Sequence, residues 1–372
     1  MSFYPALKQY NDWEIDQAMA RVSSDDVDRA LAADYCGVND FLALLSFAAQ
    51  TQLEQMAISA RDLTLRHFGR TIQIYTPLYL SDYCENRCTY CSFSVRNAFP
   101  RRKLGLDEVD REGAAIAATG LRHILILTGE SRKQSPVEYI GDCVSVLKKY
   151  FHSIAIEIYP LTESEYAWLI DRGVDGLTLY QETYNESVYQ KIHPAGPKRD
   201  YRFRLDAPER AATCHIRQIN IGALIGLADW RKEAFALGRH ARYLMDRFPD
   251  TEIGISLPRL RPSAGSIVHA CGVQDEHLVQ ALLALRLFLP RLGISLSTRE
   301  SETFRDHLIP LGITRLSAGS VTSVGGHTTL TGPKKTLPQF EIADHRSIGQ
   351  MTETIRARGY DPVLSDWVPY DV

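Results

Sequence analysis

From residue 72 onward, short runs of β-branched and other apolar residues alternate with segments of helical periodicity. Parallel strands joined by helical crossovers produce this alternation, because a parallel neighbour needs a long return connection. Eight such units over about 250 residues predict a (β/α)8 barrel of the TIM type, with a doubly wound open sheet as the alternative. The eight runs cover residues 72–80, 123–127, 154–158, 176–180, 218–224, 252–257, 294–297 and 315–317.

Several of the segments between the runs carry signals for helix ends. Thr162 and Glu165 have the capping-box spacing, before a helix that should stop at Gly173. Ser301 should open a helix that closes near Gly312, and Asp107 should precede a helix over residues 108–118. No glycine-rich phosphate-binding motif follows any of the runs.

The chain on either side of the predicted barrel differs from it. Residues 1–70 have helical periodicity, with Ser24 as a candidate N-cap and a segment over residues 53–68 that stops at Gly69. Residues 323–372 contain one predicted helix, from Ser347 to Arg358. We therefore predict an N-terminal helical extension (1–70), the barrel (71–322) and a short C-terminal tail that packs on it (323–372).

A polar loop after the first run holds three cysteines, Cys84, Cys88 and Cys91, with the spacing C-x3-C-x2-C. A closed zinc site needs four ligands, and no fourth Cys or His lies within a helical turn or two of the loop. An iron–sulfur cube held by three thiolates keeps one iron open for a substrate. The spacing therefore favours such a cluster over three unrelated thiols.

The remaining cysteines are Cys36, Cys143, Cys214 and Cys271, which lie far apart, and most of them are predicted to be small core residues. A net charge of -3 and a pI near 6.4 provide no basic field for nucleic acid or an anionic membrane. The N-terminus starts no signal peptide, and no apolar run reaches the roughly eighteen residues of a membrane span. We expect a cytoplasmic protein with a small-molecule substrate.

Polar residues follow most of the predicted strands. The carboxyl ends of barrel strands meet at one mouth, where charged side chains are costly to bury unless they pair with each other or with a ligand. A zwitterionic amino acid would suit such a mouth. The alternatives are ion pairs at the barrel rim for the charged residues and tight turns for the glycines. The candidates are Gly129, Glu130, Glu157, Tyr159, Gln181, Glu182, Gly222, Leu224, Arg259, Arg261, Arg299, Ser317 and Ser320.

The cysteine loop, in which Tyr90 directly precedes the third cysteine, resembles the signature of the radical S-adenosylmethionine (SAM) enzymes. Segments 180–184, 222–227, 258–262 and 296–300 extend the resemblance to the aromatic amino acid lyases of that superfamily, especially the tyrosine lyases of thiamine thiazole biosynthesis. This resemblance implies a 4Fe-4S cluster with one open iron, and SAM that is cleaved to methionine and a 5′-deoxyadenosyl radical. It also implies cleavage of the Cα–Cβ bond of L-tyrosine to 2-iminoacetate and 4-methylphenol.

The resemblance further implies roles for individual residues. Cys84, Cys88 and Cys91 match the cluster ligands, and Arg299 with Ser317 or Ser320 is expected to bind the tyrosine carboxylate as a guanidinium fork. Thr128 replaces a glycine that precedes the pair expected to contact the SAM amino group. Tyr90 is expected to act both in catalysis and in cofactor binding. The full set of expected cofactor-binding residues is Tyr90, Gly129, Glu130, Glu157, Tyr159, Gln181, Glu182, Gly222, Leu224, Arg259 and Arg261.

The resemblance also implies protein partners. The thiazole synthase ThiG would receive 2-iminoacetate, and a flavodoxin or ferredoxin would supply electrons. The N-terminal helices and the tail beyond residue 330 are the candidate docking surfaces.

Four other functions stay open. A hydrogenase-maturation lyase needs a second cluster, and no cysteine follows Cys271. Biotin-synthase-like sulfur insertion also needs an auxiliary cluster. A tryptophan lyase would share the barrel and the loop. A non-catalytic iron–sulfur protein would leave the polar mouth unexplained.

Overall fold

The computed structural model describes residues 2–266, 272–328 and 337–367. All eight predicted runs form strands, the first run is split into two, and a further strand lies near the C-terminus. The strands are β1 (Thr71–Tyr75), β2 (Pro77–Ser81), β3 (His123–Thr128), β4 (Ser153–Glu157), β5 (Gly176–Glu182), β6 (Gln218–Ala223), β7 (Glu252–Ser256), β8 (Gly293–Leu296), β9 (Arg315–Ser317) and β10 (Asp361–Val363).

These strands form one parallel sheet in the order β10-β1-β9-β8-β7-β6-β5-β4-β3-β2. β1 pairs with β9 and β2 pairs with β3, although only Thr76 separates β1 from β2. β2 ends the strand order at one side and β1 is next to the last strand at the other, so this continuous chain segment makes the sheet curl round on itself. The predicted TIM-type barrel is confirmed, and the open doubly wound sheet is not found.

Helices cover the outside of the barrel and form most of the first 70 residues. The helices are α1 (Tyr4–Leu7), α2 (Asp12–Arg21), α3 (Ser24–Ala32), α4 (Val38–Leu44), α5 (Leu53–Phe68), α6 (Leu106–Ala117), α7 (Val137–Leu147), α8 (Glu163–Ile170), α9 (Glu186–Ile192), α10 (Tyr201–Leu205), α11 (Ala207–Thr213), α12 (Trp230–Arg247), α13 (Asp275–Phe288), α14 (Glu302–Leu308) and α15 (Ile348–Ala357). Short 3-10 helices span Ala48–Gln52, Pro197–Arg199 and Ile309–Leu311. No helix in the described ranges is both long and apolar enough to cross a membrane.

Most of the predicted helix ends are confirmed. Thr162 caps α8, Ser301 caps α14 and Ser347 caps α15, each through its side-chain oxygen. Two predictions were wrong by a residue or two. Ser23, and not Ser24, caps α3, because Asp26 completes a capping box with Ser23. Helix α6 begins at Leu106, before Asp107, because Glu108 accepts a hydrogen bond from the backbone of Gly105.

The N-terminal helices pack on helices α12 and α13 of the barrel. Phe41 of α4 stacks on Phe288 of α13 with ring centroids 4.3 Å apart. The side-chain amide of Gln280 donates to the backbone oxygens of Leu44 and Ser46, which satisfies two carbonyl groups at the end of α4. This packing adds to one continuous core. Cys36 and Cys143 are buried as predicted, Cys214 is partly exposed, and Cys271 lies outside the described residues.

A segment of the tail, residues 337–344, crosses the mouth of the barrel, and we call it the strap. Ser92 donates its hydroxyl to the backbone oxygens of Pro338 and Gln339, at 2.5 and 2.8 Å. The strap ends at Asp344, which is fully buried and forms an ion pair with the equally buried Arg305 of α14. The strap is therefore fixed at both of its described ends.

Candidate active site

A cavity lies at the carboxyl ends of the strands, with a volume of about 1320 Å³ that includes open solvent at its mouth. Its walls come from the cysteine loop, the strand ends and the strap, so segments distant in sequence meet in one place. It brings together most of the predicted residues: Cys84, Cys88, Tyr90, Cys91, Gly129, Glu130, Glu157, Tyr159, Glu182, Leu224, Arg299, Ser317 and Ser320.

The cysteine loop has no regular secondary structure and is held by backbone hydrogen bonds to its neighbours. The Glu85 N–H donates to the Glu130 carbonyl at 2.8 Å, next to the end of β3. Gly129 permits this approach, because an added Cβ would lie only 2.4 Å from the Tyr83 carbonyl oxygen. The loop can therefore place all three cysteine side chains on the cavity wall.

The three thiols are free and largely withdrawn from water. Burial raises the pKa of each of them, to about 11 for Cys91, and the charges of the neighbouring cysteines add to the shift for Cys88 and Cys91. Three thiolates therefore need a compensating positive centre, which an iron–sulfur cluster provides. Within the described residues, no three His, Cys, Asp or Glu side chains are placed to hold a single metal ion. The donor set fits a cluster.

Two further polar atoms in the cavity wall have no protein partner. The hydroxyl oxygens of Thr128 and Ser320 are buried, and neither forms a hydrogen bond within the described structure. Buried hydroxyl groups in native proteins are normally paired, so these two mark positions where a bound molecule would supply the partner.

A charged network lies between the cysteine loop and the end of β5. Glu182 pairs with Lys198 at 2.6 Å and lies 3.8 Å from Arg204. Burial alone would raise the pKa of Glu182, but these two cations hold it below its usual value. Asn86 joins the network by donating to the Glu130 carboxylate at 2.6 Å and accepting from the Lys198 backbone at 2.8 Å. The site therefore contains an ionised carboxylate that is already neutralised by the protein.

Arg299 and Glu157 differ from that network because each lacks a hydrogen-bonded partner of opposite charge within the described chain. The Arg299 guanidinium lies 3.4 Å over the ring of Phe340, a residue of the strap. Burial lowers the pKa of Arg299. Burial, and then the charge of Glu182, raise the pKa of Glu157 to about 7. An amino acid zwitterion carries the charges that such a pair of groups would accept.

Four predicted residues do not line the cavity. Successive side chains of β5 point to opposite faces of the sheet, and the Gln181 side chain does not line the cavity. Its amide donates to the Tyr201 carbonyl at 3.4 Å. Gly222 lies beneath the Tyr180 ring, which would be 2.6 Å from an added Cβ. Arg259 and Arg261 both pair with Glu300. An ion pair at the barrel rim was the alternative to ligand binding that the sequence left open for charged residues at strand ends. Arg259 and Arg261 form such ion pairs.

The lining residues that were not predicted as site residues include Tyr79, Lys198, Arg204, Gln339 and Phe340. The dense basic stretch over residues 198–204, soon after Glu182, was the signal available for two of them. No periodicity marks the strap, so its two members carried no comparable signal.

Comparison with known proteins identifies two families along the chain. Residues 78–237 match the Radical SAM superfamily, and residues 256–361 match the Biotin and Thiamin Synthesis associated domain. The first match contains the cysteine loop, nearly all of β2 and strands β3 to β6. The second contains β8 and β9, with only the last residue of β7 and the first residue of β10.

Relatives of similar length resemble nearly the whole chain. The 2-iminoacetate synthase of Escherichia coli (strain K12) is 41% identical over 346 residues, which cover 93% of this chain and 91% of that enzyme. The 2-iminoacetate synthase of Salmonella typhimurium is 39% identical over 92% of this chain and 90% of its own length. Among solved structures, HydG, a maturase of the FeFe-hydrogenase, superposes with a TM-score of 0.87 at 31% identity, over 95% of this chain and 80% of HydG.

Proposed function

Because this chain belongs to the 2-iminoacetate synthase family of radical SAM enzymes, we propose that it cleaves the Cα–Cβ bond of L-tyrosine. The products would be 2-iminoacetate and 4-methylphenol, with SAM converted to methionine and 5′-deoxyadenosine. The observation that carries this proposal is the single cavity shared by Cys84, Cys88, Cys91 and the unpaired Arg299. It combines a cluster-binding donor set with a group suited to an amino acid carboxylate.

The cofactors of the family are a 4Fe-4S cluster and SAM, which supply a 5′-deoxyadenosyl radical when bound. Cys84, Cys88 and Cys91 would hold the cluster. Gly129 and Glu130 would contact SAM, since they pack directly on the cysteine loop. Tyr90 and Leu224 would form an apolar wall of the same half of the cavity, because they are buried together in one small cluster.

Tyrosine would occupy the half of the cavity toward the strap. Arg299 would bind its carboxylate, and the unpaired hydroxyl of Ser320 would add a hydrogen bond. Ser317 would act mainly on the backbone, because its hydroxyl already accepts from the Thr298 N–H at 3.0 Å. Glu157 would face the substrate amine. Because the pKa of Glu157 is raised to about 7, its carboxyl group could meet the amine in either the neutral or the ionised form.

The strap would keep water from the reacting groups. Phe340 covers the Arg299 guanidinium, and Gln339 extends from the strap to within 4.0 Å of the Cys91 sulfur. The Gln339 amide is fixed from its other end by the Tyr79 hydroxyl at 2.7 Å. These contacts place apolar and hydrogen-bonded groups between the cavity and solvent, as radical chemistry requires.

Anaerobic reconstitution followed by incubation with SAM, a reductant and L-tyrosine tests the proposal. We expect 4-methylphenol and 5′-deoxyadenosine to form together, and neither to form in a Cys88→Ala variant. L-Tryptophan in place of tyrosine distinguishes a tryptophan lyase. Carbon monoxide would indicate hydrogenase-maturation chemistry, which the structural likeness to HydG makes the second candidate. Absence of 4-methylphenol from a protein with a full cluster would refute tyrosine cleavage.

We also propose that the protein acts in the cytoplasm with two protein partners. 2-Iminoacetate hydrolyses readily, so a thiazole synthase such as ThiG would receive it in a direct complex. A flavodoxin or ferredoxin would supply the electron. Co-purification under anaerobic conditions tests the first partner, and complete separation of the two proteins at micromolar concentration would contradict a stable complex.

A further inference from the structure

The cysteine loop rests on residues 192–198, which we call the anchoring segment. The Thr89 N–H donates to the Ile192 carbonyl and the Arg87 N–H donates to the Ala195 carbonyl, both at 3.0 Å. Gly196 has a φ of +102°, and an added Cβ would lie 2.7 Å from the Cα of Asn86. The loop and the segment are therefore packed backbone against backbone, with no room for a side chain between them.

Besides side chain–backbone bonds at Asn86 and Thr89, one hydrogen bond between two side chains joins the described segments. The Tyr90 hydroxyl lies 2.9 Å from Nε2 of His193, and Nδ1 of His193 lies 3.0 Å from the Tyr189 carbonyl oxygen. A carbonyl can only accept, so Nδ1 carries the proton, and burial lowers the pKa of His193 so that its ring is neutral. Nε2 therefore accepts from the Tyr90 hydroxyl. His193 is completely buried, which fixes the ring from both sides.

Tyr90 is the residue on which this bond acts, and it lies between two predicted cluster ligands. Its ring is buried with Cys88, Ile192 and Leu224 in an apolar cluster that is separate from the main core. Tyr90 and Leu224 both line the cavity, while His193 does not. The direction of the Tyr90 ring therefore depends on a histidine that stands behind the cavity wall.

We propose that His193 is a positioning residue that holds the Tyr90 ring as one wall of the SAM half of the cavity and so sets the affinity for SAM. This inference rests on the proposed function, because it assigns that half of the cavity to SAM. His193 itself does not line the cavity and reaches it only through Tyr90.

The test measures SAM binding to the anaerobically reconstituted chain, through the change that SAM causes in the electron paramagnetic resonance spectrum of the reduced cluster. We expect His193→Phe to keep its iron and sulfide content and to raise the half-saturating SAM concentration by about tenfold. His193→Gln retains an acceptor near the position of Nε2 and should restore the value to within about threefold. Tyr90→Phe should match His193→Phe, and the double variant should be no worse than either.

A second buried tyrosine–histidine pair in the same chain provides the matched control. The Tyr184 hydroxyl lies 2.9 Å from Nδ1 of His240, both residues are buried, and neither lines the cavity. His240→Phe removes the same type of bond and should leave SAM half-saturation unchanged.

Three results would overturn the inference: a native half-saturation in His193→Phe, additive losses in the double variant, or an equal loss in His240→Phe. Loss of the cluster in His193→Phe while Tyr90→Phe stays native would also refute it, since His193 would then support the loop and not the ring. An unaltered chain with a full cluster and no spectral response to SAM would instead refute the proposed function itself.

Discussion

Replacement of Arg299 by alanine tests the substrate assignment, which substitution of the cluster ligands cannot test. The guanidinium forms no ion pair in the described chain, and it stacks on Phe340. A substrate carboxylate would therefore form its first charge-assisted hydrogen bonds there. Two such bonds at a half-buried site are worth about 2 to 4 kcal/mol, which corresponds to roughly a thirtyfold to thousandfold weaker binding of tyrosine.

The assay is a tyrosine titration in which 5′-deoxyadenosine and 4-methylphenol are measured together. Arg299→Ala should keep its cluster and some uncoupled 5′-deoxyadenosine, yet lose 4-methylphenol, and Arg299→Lys should recover little because it lacks the planar fork. Arg259→Ala is the matched control, since that arginine pairs with Glu300 away from the cavity. It should lose stability and retain native half-saturation by tyrosine. Native half-saturation in Arg299→Ala would refute the carboxylate assignment.

Three further predictions concern the cluster, the pH dependence of stability and the strap. Reconstitution should give about four irons and four sulfides per chain. Alanine at Cys84, Cys88 or Cys91 should abolish both the cluster absorption and SAM cleavage. Full cluster content in such a variant, or zinc in the native chain, would contradict the ligand assignment. The pKa of Glu157 is raised to about 7 from 4.5, so the folded protein holds this proton more tightly than the unfolded chain does. The free energy of unfolding of the cofactor-free protein should therefore fall by at most about 3 kcal/mol as pH rises from 4.5 to 7. Urea denaturation at pH 5 and pH 8 should show a smaller pH effect in Glu157→Gln, and an unchanged effect would refute the shift. Asp344→Ala leaves Arg305 buried without its carboxylate partner and should lower the free energy of unfolding by about 3 to 5 kcal/mol. The control Arg29→Ala, at an exposed ion pair, should change the free energy of unfolding little. Equal effects of the two substitutions would show that the strap is not anchored at Asp344.

The parts of the fold that local sequence encodes could be predicted from it. Every strand except β10 lay within a predicted apolar run, and most helices were visible through their caps, because both depend on residues within a few positions of each other. The break at Thr76 and the pairing of β10 with β1 were missed. They depend on which distant strand supplies hydrogen bonds at each height of the barrel.

The sequence predicted which residues lie at the candidate site better than it predicted which of their side chains form ion pairs. Polar residues at strand ends indicated the mouth, but the sequence does not state which arginine meets which carboxylate. Arg259, Arg261 and Arg299 look alike in sequence, yet Glu300 pairs with the first two only. Side-chain direction at a strand end depends on the register and on the local turn, which is a property of the assembled barrel.

The split of the first predicted strand has a consequence for how wide the mouth is. Above Thr76, β2 no longer adjoins β9, and its free edge is met by Val324, which forms an isolated parallel bridge with Tyr79. The Gly325 N–H adds a hydrogen bond to the Tyr79 carbonyl at 3.1 Å. Here a loop takes the place of a neighbouring strand. The width of the barrel at this edge therefore depends on a loop. Changes in the length or sequence of that loop would enlarge or narrow the cavity without altering the number of strands.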